Sequence, residues 1–222
     1  LGMSAVVITG ANRGIGLEMC RQFAARGEAV IAVCRSSSPA LDALGVRVEV
    51  GVDVTDLASV QALAQRLEGA SISLLVNNAG VLFRGGLDAL DEEEIRLQFE
   101  VNSMGPLRVT SALRGSLARG GKVAIVTSRM GSIEDNDSGG SYGYRMSKAA
   151  VNAVGKSLSI DLRGEEISVV LLHPGWVRTE MTRGSGLIDA SEAAQGLIRR
   201  MDTVTLEQSG SFWHQNGEAL PW

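Results

Sequence analysis

A tyrosine and a lysine stand four residues apart in the stretch GSYGYRMSKAA, as Tyr144 and Lys148. Small apolar residues follow them and predict a helix over residues 144–163, on which positions i and i+4 share one face. A free tyrosine has a pKa of about 10, and a neighbouring ammonium group lowers it by favouring the phenolate. Such a phenol can give a proton to a carbonyl oxygen or take one from an alcohol. The spacing alone also fits an exposed helix pair with no catalytic role.

Two further polar residues, Ser128 and Asn102, are candidates for a catalytic role. Ser128 follows the apolar run KVAIVT, and a hydroxyl at the end of a strand can hold a substrate oxygen while its charge changes. A serine there can equally cap a turn. Asn102 lies inside an apolar helical segment, where asparagine is a poor helix former. Either a helix kink with a freed carbonyl or an ordinary buried hydrogen bond would explain it.

The stretch TGANRGIG, residues 9–16, follows a predicted strand and opens a predicted helix. Its glycines, Gly10, Gly14 and Gly16, would let the backbone approach a pyrophosphate closely. The N–H groups and the positive dipole end of the following helix would favour the same anion. The loop therefore predicts a dinucleotide site, although a tight strand–helix turn without a ligand is the alternative.

Two arginines indicate which dinucleotide is bound. NAD-binding proteins usually carry an acid at the end of the second strand, where it holds the ribose 2′-hydroxyl. Here that place reads Cys34, Arg35, Ser36, and Arg13 lies within the glycine loop. Guanidinium groups grip a phosphate through paired hydrogen bonds, so Arg13 and Arg35 suit a 2′-phosphate. The sequence favours NADP(H), and NAD(H) remains the alternative.

Strands and helices must position these residues. Along the whole chain, apolar runs alternate with helix-like segments. Continuous apolar strands separated by helices are typical of a parallel sheet covered on both faces. We predict one α/β domain over residues 1–222, a single-domain Rossmann-type doubly wound parallel sheet flanked by helices, with ligands beyond the carboxyl ends of the strands. The predicted strands are 5–9, 29–34, 46–54, 71–80, 122–128 and 167–175, and the predicted helices are 15–27, 56–69, 91–118 with a break near Pro106, and 144–163.

Composition narrows the class of protein. Lysine and arginine number 21 and aspartate and glutamate 25, which gives a net charge of −4 and no basic footprint for nucleic acid. No apolar run approaches the ~20 residues that cross a bilayer. Cys20 and Cys34 fit neither a disulfide framework nor a zinc site, and they indicate a reducing, cytoplasmic compartment. Leu1 and Gly2 precede Met3 and are interpreted as an addition to the natural chain.

No metal site is predicted. His173 has no partner ligand at metal spacing, and the acids at 91–94 suit the positive end of a helix. The acidic stretch EDND lacks the full ligand pattern of a calcium loop.

Taken together, the motifs resemble the classical short-chain dehydrogenases/reductases over nearly the whole chain. The segments SGGSYGYRMSKAAVN and GSFWHQNGEALPW are similar to the small C-factor-like and sniffer-like carbonyl reductases. The resemblance implies NADPH-dependent reduction of a small carbonyl compound, or the reverse oxidation of an alcohol. A dinucleotide-binding signalling protein with little turnover is the alternative. The motifs that carry the resemblance are TGANRGIG, DVTD at 53–56, NNAG at 77–80, Asn102, Ser128, YRMSK at 144–148 and HPGWVRTEM at 173–181.

The resemblance also implies roles for single residues. Tyr144 would be the catalytic acid/base, Lys148 would tune its pKa and bind the cofactor ribose, and Ser128 would orient the carbonyl. Asn102 would support a proton relay through water. Met130 and Trp176 would join Ser128 and Tyr144 at the substrate, although ordinary packing fits them equally. The implied cofactor contacts, besides Tyr144 and Lys148, are Gly10, Asn12, Arg13, Gly14, Ile15, Gly16, Arg35, Asp53, Val54, Asn78, Ala79, Gly80, Pro174, Gly175, Val177 and Thr179.

Two features depart from the family's pattern. The interval between Ser128 and Tyr144 is a few residues longer, with the additional residues in the loop-like stretch 134–140, and the segment after Thr179 is short. The first could reshape the mouth of the substrate site, and the second would leave that site more open. The resemblance further implies a homodimer or homotetramer.

Overall fold

The computed structural model describes residues 4–222, so Leu1 and Gly2 lie outside the described residues. Its central feature is a seven-stranded, wholly parallel sheet with the strand order β3-β2-β1-β4-β5-β6-β9. The strands are β1 (Ala5–Thr9), β2 (Ala29–Val33), β3 (Arg47–Glu49), β4 (Ile72–Asn77), β5 (Leu117–Val126), β6 (Ser168–His173) and β9 (Ser211–His214), and a separate pair joins β7 (Val177–Arg178) to β8 (Ile188–Asp189).

Helices cover both faces of this sheet, which confirms the predicted Rossmann-type fold. The helices α1 and α7 pack together on one face, and α3, α5 and α6 lie on the other. A π-helical turn, Glu100–Met104, separates α4 from α5 just before Pro106. The helices are α1 (Gly14–Ala25), α2 (Pro39–Asp42), α3 (Leu57–Arg66), α4 (Glu92–Phe99), α5 (Gly105–Leu113), α6 (Tyr142–Asp161) and α7 (Ala190–Thr203).

The apolar runs form strands because both of their faces are buried. Every residue of β1 is buried, and alternate side chains enter two separate cores. Val7 packs with Leu75 and Leu171 in one core, whereas Ile8 packs with Phe23 in the other. Each fully buried side chain of this size contributes roughly 1.5–3 kcal/mol relative to its exposed state. The two cores hold the carboxyl ends of the central strands rigidly at one edge.

The strand order reverses beside β1, where the chain crosses from β3 back to β4. A crevice opens at such a point, outside the carboxyl ends of the strands. The glycine loop after β1 and the NNAG motif at the end of β4 meet there, because β1 and β4 are hydrogen-bonded neighbours.

Two predictions about elements need correction. The predicted strand 46–54 is paired only over Arg47–Glu49, because Val50 is exposed and Gly51 turns the chain with φ of +74°. The predicted elements also omit α7 and β9. Ala194, Leu197, Ile198 and Met201 recur at helical spacing on the buried face of α7, so this helix was detectable and was missed. The strand β9 has four residues and gives a weak signal.

Within residues 4–222, no helix combines the length and the hydrophobicity that crossing a bilayer requires.

Candidate functional site

Tyr144, Lys148 and Ser128 converge at the carboxyl end of β5. Tyr144 and Lys148 share one face of α6, with the lysine Nζ 5.7 Å from the centre of the phenol ring. That Nζ also donates to the carbonyl oxygen of Val126 at 3.2 Å, which ties the helix to the end of the strand. A Cβ on Gly131 would lie 2.7 Å from the backbone carbon of Lys148, so only glycine permits this close approach.

Burial controls the charge of Lys148. The residue is 5% exposed, and desolvation lowers its pKa from 10.5 to about 8. The lysine therefore carries a positive charge at neutral pH but gives up its proton more readily than a surface lysine.

Tyr144 differs from the expectation drawn from its spacing. Burial raises the pKa of its phenol above 10, while hydrogen bonding with Ser128 and the positive charge of Arg84 act in the opposite direction. The predicted net lowering of this pKa is therefore wrong, because desolvation outweighs the hydrogen bond with Ser128 and the charge of Arg84. The phenol is protonated at neutral pH, which is the form that can donate a proton.

Asn102 lies in the π-helical turn and is 1% exposed. Its side-chain oxygen accepts from the N–H of Val81 at 2.8 Å, and its amide donates to the carbonyl of Val81 at 2.8 Å. The same amide donates to the hydroxyl of Ser147 on α6 at 3.0 Å. The explanation by buried hydrogen bonds is confirmed, and the helix is locally π-helical at this residue. The residue fixes the loop after β4 against α6.

The glycine loop is shaped by two left-handed residues and one close contact. Gly10 and Gly14 have φ of +62° and +56°, a region that disfavours residues with a Cβ. A Cβ on Gly16 would lie 2.2 Å from the carbonyl oxygen of Gly10. The hydroxyl of Thr9 accepts from the N–H groups of Asn78 and Ala79 at 3.0 and 3.1 Å. The loop is therefore preformed and bound to the neighbouring strand end.

A cavity of about 520 Å³ opens over this loop. Most of the predicted cofactor contacts line it, namely Gly10, Asn12, Arg13, Gly14, Ile15, Arg35, Asp53, Val54, Asn78, Ala79, Gly80 and Thr179. Six predicted contacts do not line the cavity, and they are Gly16, Tyr144, Lys148, Pro174, Gly175 and Val177. Gly16 instead packs against the carbonyl oxygen of Gly10 within the loop. Eight lining residues were not predicted, and they are Cys34, Val52, Thr55, Val81, Leu97, Val101, Glu180 and Met181.

The unpredicted residues fall into two kinds. Cys34, Val52, Thr55 and Val81 stand next to predicted residues, so widening each motif by a residue or two would have found them. Glu180 and Met181 follow the predicted contact Thr179 inside the motif HPGWVRTEM and could have been found in the same way. Leu97 and Val101 reach the cavity from α4 and from the π-helical turn, and no motif marks them.

The end of the cavity beneath β2 carries both signs of charge. The carboxylate of Asp53 accepts from the N–H and the hydroxyl of Thr55 at 2.9 and 2.7 Å, and these bonds lower its pKa, with a further contribution from Arg35. Arg35 is exposed and lines the cavity. The amide of Asn12 donates to the carbonyl of Ser36 at 3.0 Å, which holds the glycine loop beside this arginine.

The predicted substrate side is apolar and open. Trp176 is 52% exposed, and Met130 is half-buried. Met146, two residues beyond Tyr144, is 54% exposed. These side chains are not packed into either core, so the packing alternative is not needed for Trp176.

His173 is a structural residue by its surroundings. Its ring meets that of His214 edge-on at 5.0 Å, and burial, with nearby positive charges, lowers its pKa to about 3. It is therefore neutral at physiological pH. Across the part of the chain that the structure describes, no group of three or more histidine, cysteine, aspartate or glutamate residues is arranged to hold a metal ion.

The sequence and the fold are similar to those of known proteins. A sequence model of the family described as short chain dehydrogenase matches residues 4–187. The 1-hydroxy-2-glutathionyl-2-methyl-3-butene dehydrogenase of Rhodococcus sp. (strain AD45) is 46% identical over 226 residues, covering 99% of this chain and 100% of that protein. The C-signal protein of Myxococcus xanthus is 42% identical over 166 residues, covering 73% and 100%. The NADPH-bound carbonyl reductase from chicken fatty liver superposes with a TM-score of 0.90 at 29% identity, covering 100% of both chains.

Proposed function

This chain belongs to the short chain dehydrogenase family, a family of oxidoreductases, and from that premise we propose that it is an NADP(H)-dependent oxidoreductase of the carbonyl reductase type. The observation that carries the proposal is the convergence of Ser128, Tyr144 and Lys148 at the same sheet edge as a preformed glycine loop and its cavity. The substrate would be a small molecule with a carbonyl or alcohol group.

The residues of the cavity fit a dinucleotide. Gly10, Gly14 and Gly16 leave the backbone free of side chains where a pyrophosphate would lie, and the N-terminus of α1 follows at once. Asp53 and Val54 would contact the adenine, and the polar groups of the NNAG motif would face the ribose side. Val177 and Thr179 would lie near the carboxamide of the nicotinamide.

Preference for NADP(H) is supported by charge. No acid follows β2, whereas Arg35 lines the cavity with no salt-bridge partner among residues 4–222. Arg13 lines the same cavity from the glycine loop. Two guanidinium groups at that end would favour a 2′-phosphate over a 2′-hydroxyl. The neighbouring carbonyl reductase with bound NADPH is in keeping with this assignment.

Each residue of the proposed site has a definite task. Ser128 would hold the substrate oxygen by a hydrogen bond, and Tyr144 would transfer its phenolic proton to that oxygen. Lys148 would stabilise the phenolate left behind through its positive charge and would return a proton to it. Asn102 would support the proton path through water, while its side chain holds Val81 in place. The nicotinamide, when bound, supplies or accepts the hydride at the substrate carbon.

A second candidate function is dinucleotide-dependent signalling with little turnover, because the C-signal protein matches over its whole length. A purely binding protein has no need of a hydroxyl at position 128 beside the phenol. A third candidate is the same reaction with NAD(H) as cofactor, and an assay with both cofactors distinguishes it from the reaction with NADP(H).

The decisive experiment follows NADPH and NADH absorbance with a panel of aldehydes and ketones, and NADP⁺ reduction with alcohols. We expect turnover with NADPH that Tyr144→Phe abolishes while cofactor affinity stays within a few fold. Wild-type turnover in Tyr144→Phe would refute the mechanism. No turnover with any substrate, together with tight NADPH binding, would favour the signalling function.

We also propose a homodimer or homotetramer, since Leu97, Phe99 and Leu107 on α4 and α5 are each more than a third exposed. The two cysteines are free and buried, in keeping with a reducing compartment such as the cytoplasm.

A further inference from the structure

Arg84 stands on a main-chain segment that is held in place on both sides. The N–H of Phe83 donates to the side-chain oxygen of the buried Gln98 at 3.0 Å. The carbonyl of Gly85 accepts from the N–H of Ser141 at 2.9 Å, at the entrance to α6. The position of Arg84 relative to the start of α6, and so to Tyr144, is therefore fixed by the fold.

The backbone is strained at this junction. Ser141 has φ of +48°, a left-handed conformation that costs a non-glycine residue on the order of 1 kcal/mol. Such strain persists only where surrounding contacts determine it, and here the hydrogen bond to Gly85 is one such contact. The backbone strain at Ser141 is therefore maintained where the segment that carries Arg84 packs against the start of α6.

The guanidinium of Arg84 is exposed and has no hydrogen-bond or salt-bridge partner within residues 4–222. Other arginines near the site are occupied. Arg129 pairs with Asp135 and Glu218 at 3.2 Å each, and Arg145 donates to the carbonyl of Gly140 at 3.1 Å. The hydrogen bond between Gly85 and Ser141 places Arg84 beside the start of α6, and its charge opposes the net rise in the pKa of Tyr144.

Acidic side chains near Arg84 do not neutralise it. Asp91 and Glu94 line the same small cavity as Arg84, but neither forms a salt bridge with it. The carboxylate of Asp91 instead accepts from the N–H groups of Glu93 and Glu94 at 3.0 and 3.1 Å. Within residues 4–222 the guanidinium of Arg84 therefore has no ion-pair partner, and it lies beside Tyr142 and Gly143 at the start of α6.

We propose that the substrate carries a carboxylate, or an anionic group of similar shape, and that Arg84 binds it while the carbonyl lies at Tyr144. The inference rests on the proposed function and names the substrate class for that same site. A guanidinium matches a carboxylate with two parallel hydrogen bonds. The exposed side chain of Trp176, a predicted substrate residue, suits an apolar part of the substrate between its two polar ends. A chain with net charge −4 also needs such a local cation to attract an anion.

The test compares 4-formylbenzoate with its methyl ester, in which a methyl group replaces the negative charge. A charge-assisted hydrogen-bonded pair is worth about 1.5–3 kcal/mol, so we expect kcat/KM to favour the acid by about tenfold or more. Arg84→Gln should remove this preference, chiefly by raising KM for the acid, and Arg84→Lys should keep part of it. Arg199→Gln makes the same charge change on an exposed residue of α7 and should keep the full preference.

Equal kcat/KM for acid and ester in the wild type would overturn the inference, as would a preference that survives Arg84→Gln. A binding measurement distinguishes failure of the carboxylate-binding role of Arg84 from failure of the proposed oxidoreductase function. Calorimetric titration of 4-formylbenzoate into Tyr144→Phe loaded with NADP⁺ reports affinity without turnover. Binding that Arg84→Gln weakens about tenfold supports the inference even if no aldehyde is reduced, whereas binding that is absent or indifferent to Arg84 refutes it.

Discussion

Nη1 of Arg13 lies 2.5 Å from Oε2 of Glu180, and this pair joins the glycine loop to the segment after β7 across the cofactor cavity. Both side chains are more than half exposed, at 58% and 77%. An exposed ion pair of this kind contributes at most about 1 kcal/mol, so either partner can exchange for another ion. Glu180 and a cofactor phosphate would therefore compete for the same guanidinium.

Glu180→Gln should strengthen NADP⁺ binding, because it removes the competing carboxylate. We expect the Kd for NADP⁺ to fall by up to about fivefold while the Kd for NAD⁺ stays constant, measured by calorimetry at one salt concentration. Glu192→Gln changes the charge equally on an exposed residue of α7 and should alter neither Kd. A Kd that rises for both cofactors would instead mean that the pair closes over the bound dinucleotide.

Lys148→Met should stabilise the protein without added cofactor at neutral pH, and we expect it to inactivate the proposed enzyme. The folded pKa of about 8 lies below the unfolded value of 10.5, so burying the charge costs stability below pH 8. Between pH 8 and 10.5 the unfolded chain binds the additional proton, and stability rises with pH. We expect the free energy of unfolding at about pH 7 to increase by about 1–3 kcal/mol, a gain that shrinks toward pH 10.5.

Urea denaturation at the two pH values measures this difference. Lys156→Met, on the exposed side of the same helix, is the matched control and should show no such pH-dependent gain. Destabilisation of Lys148→Met at neutral pH would mean that the hydrogen bond from Lys148 to Val126 outweighs the cost of burying the charge.

His173 should make the protein sensitive to acid. Its pKa falls from 6.5 in the unfolded chain to about 3 in the folded one, so only the unfolded chain gains a proton as pH falls below 6.5. Stability is therefore lost through this window at about 1.4 kcal/mol per pH unit. His173→Gln should retain roughly 2 kcal/mol more stability than the wild type between pH 6 and 4.5, by chemical denaturation. His214→Gln, at a less buried ring, should have a smaller effect, and equal acid sensitivity of wild type and His173→Gln would contradict the assignment.

Gly16→Ala should impair the cofactor site. Alanine favours a helix by about 1 kcal/mol over glycine, but its Cβ would lie 2.2 Å from the carbonyl oxygen of Gly10, and backbone must move to relieve that contact. We expect cofactor affinity to fall by about tenfold or more, since the loop loses its shape. Gly115→Ala, where no atom lies within 4 Å of the added Cβ, should leave affinity unchanged. Fluorescence titration with NADPH distinguishes the two variants, and a normal Gly16→Ala affinity would show that the loop adapts.

The fold and most of the cavity could be predicted because strong local patterns mark them. The bounds of β1 were predicted to the residue, since an apolar run ends there in a glycine loop. The direction of the Tyr144 pKa shift was not, because it depends on how much protein surrounds the phenol rather than on the spacing of Lys148. The pairing of Glu180 with Arg13 could not be predicted either, because only the folded path of the segment after β7 brings the two side chains together.

The close packing of Gly131 against the backbone of Lys148 aligns the end of β5 with α6 without help from the neighbouring loop. Residues 134–140 are nearly all exposed, and Arg145 anchors them by donating to the carbonyl of Gly140 and the hydroxyl of Ser138. The contact of Gly131 with Lys148 aligns Ser128 and Tyr144 beneath the loop, and Asp135 is the loop residue that pairs with Arg129 beside Ser128. The other residues of 134–140 could therefore be exchanged, and we expect such chimaeras to change substrate preference at constant cofactor affinity.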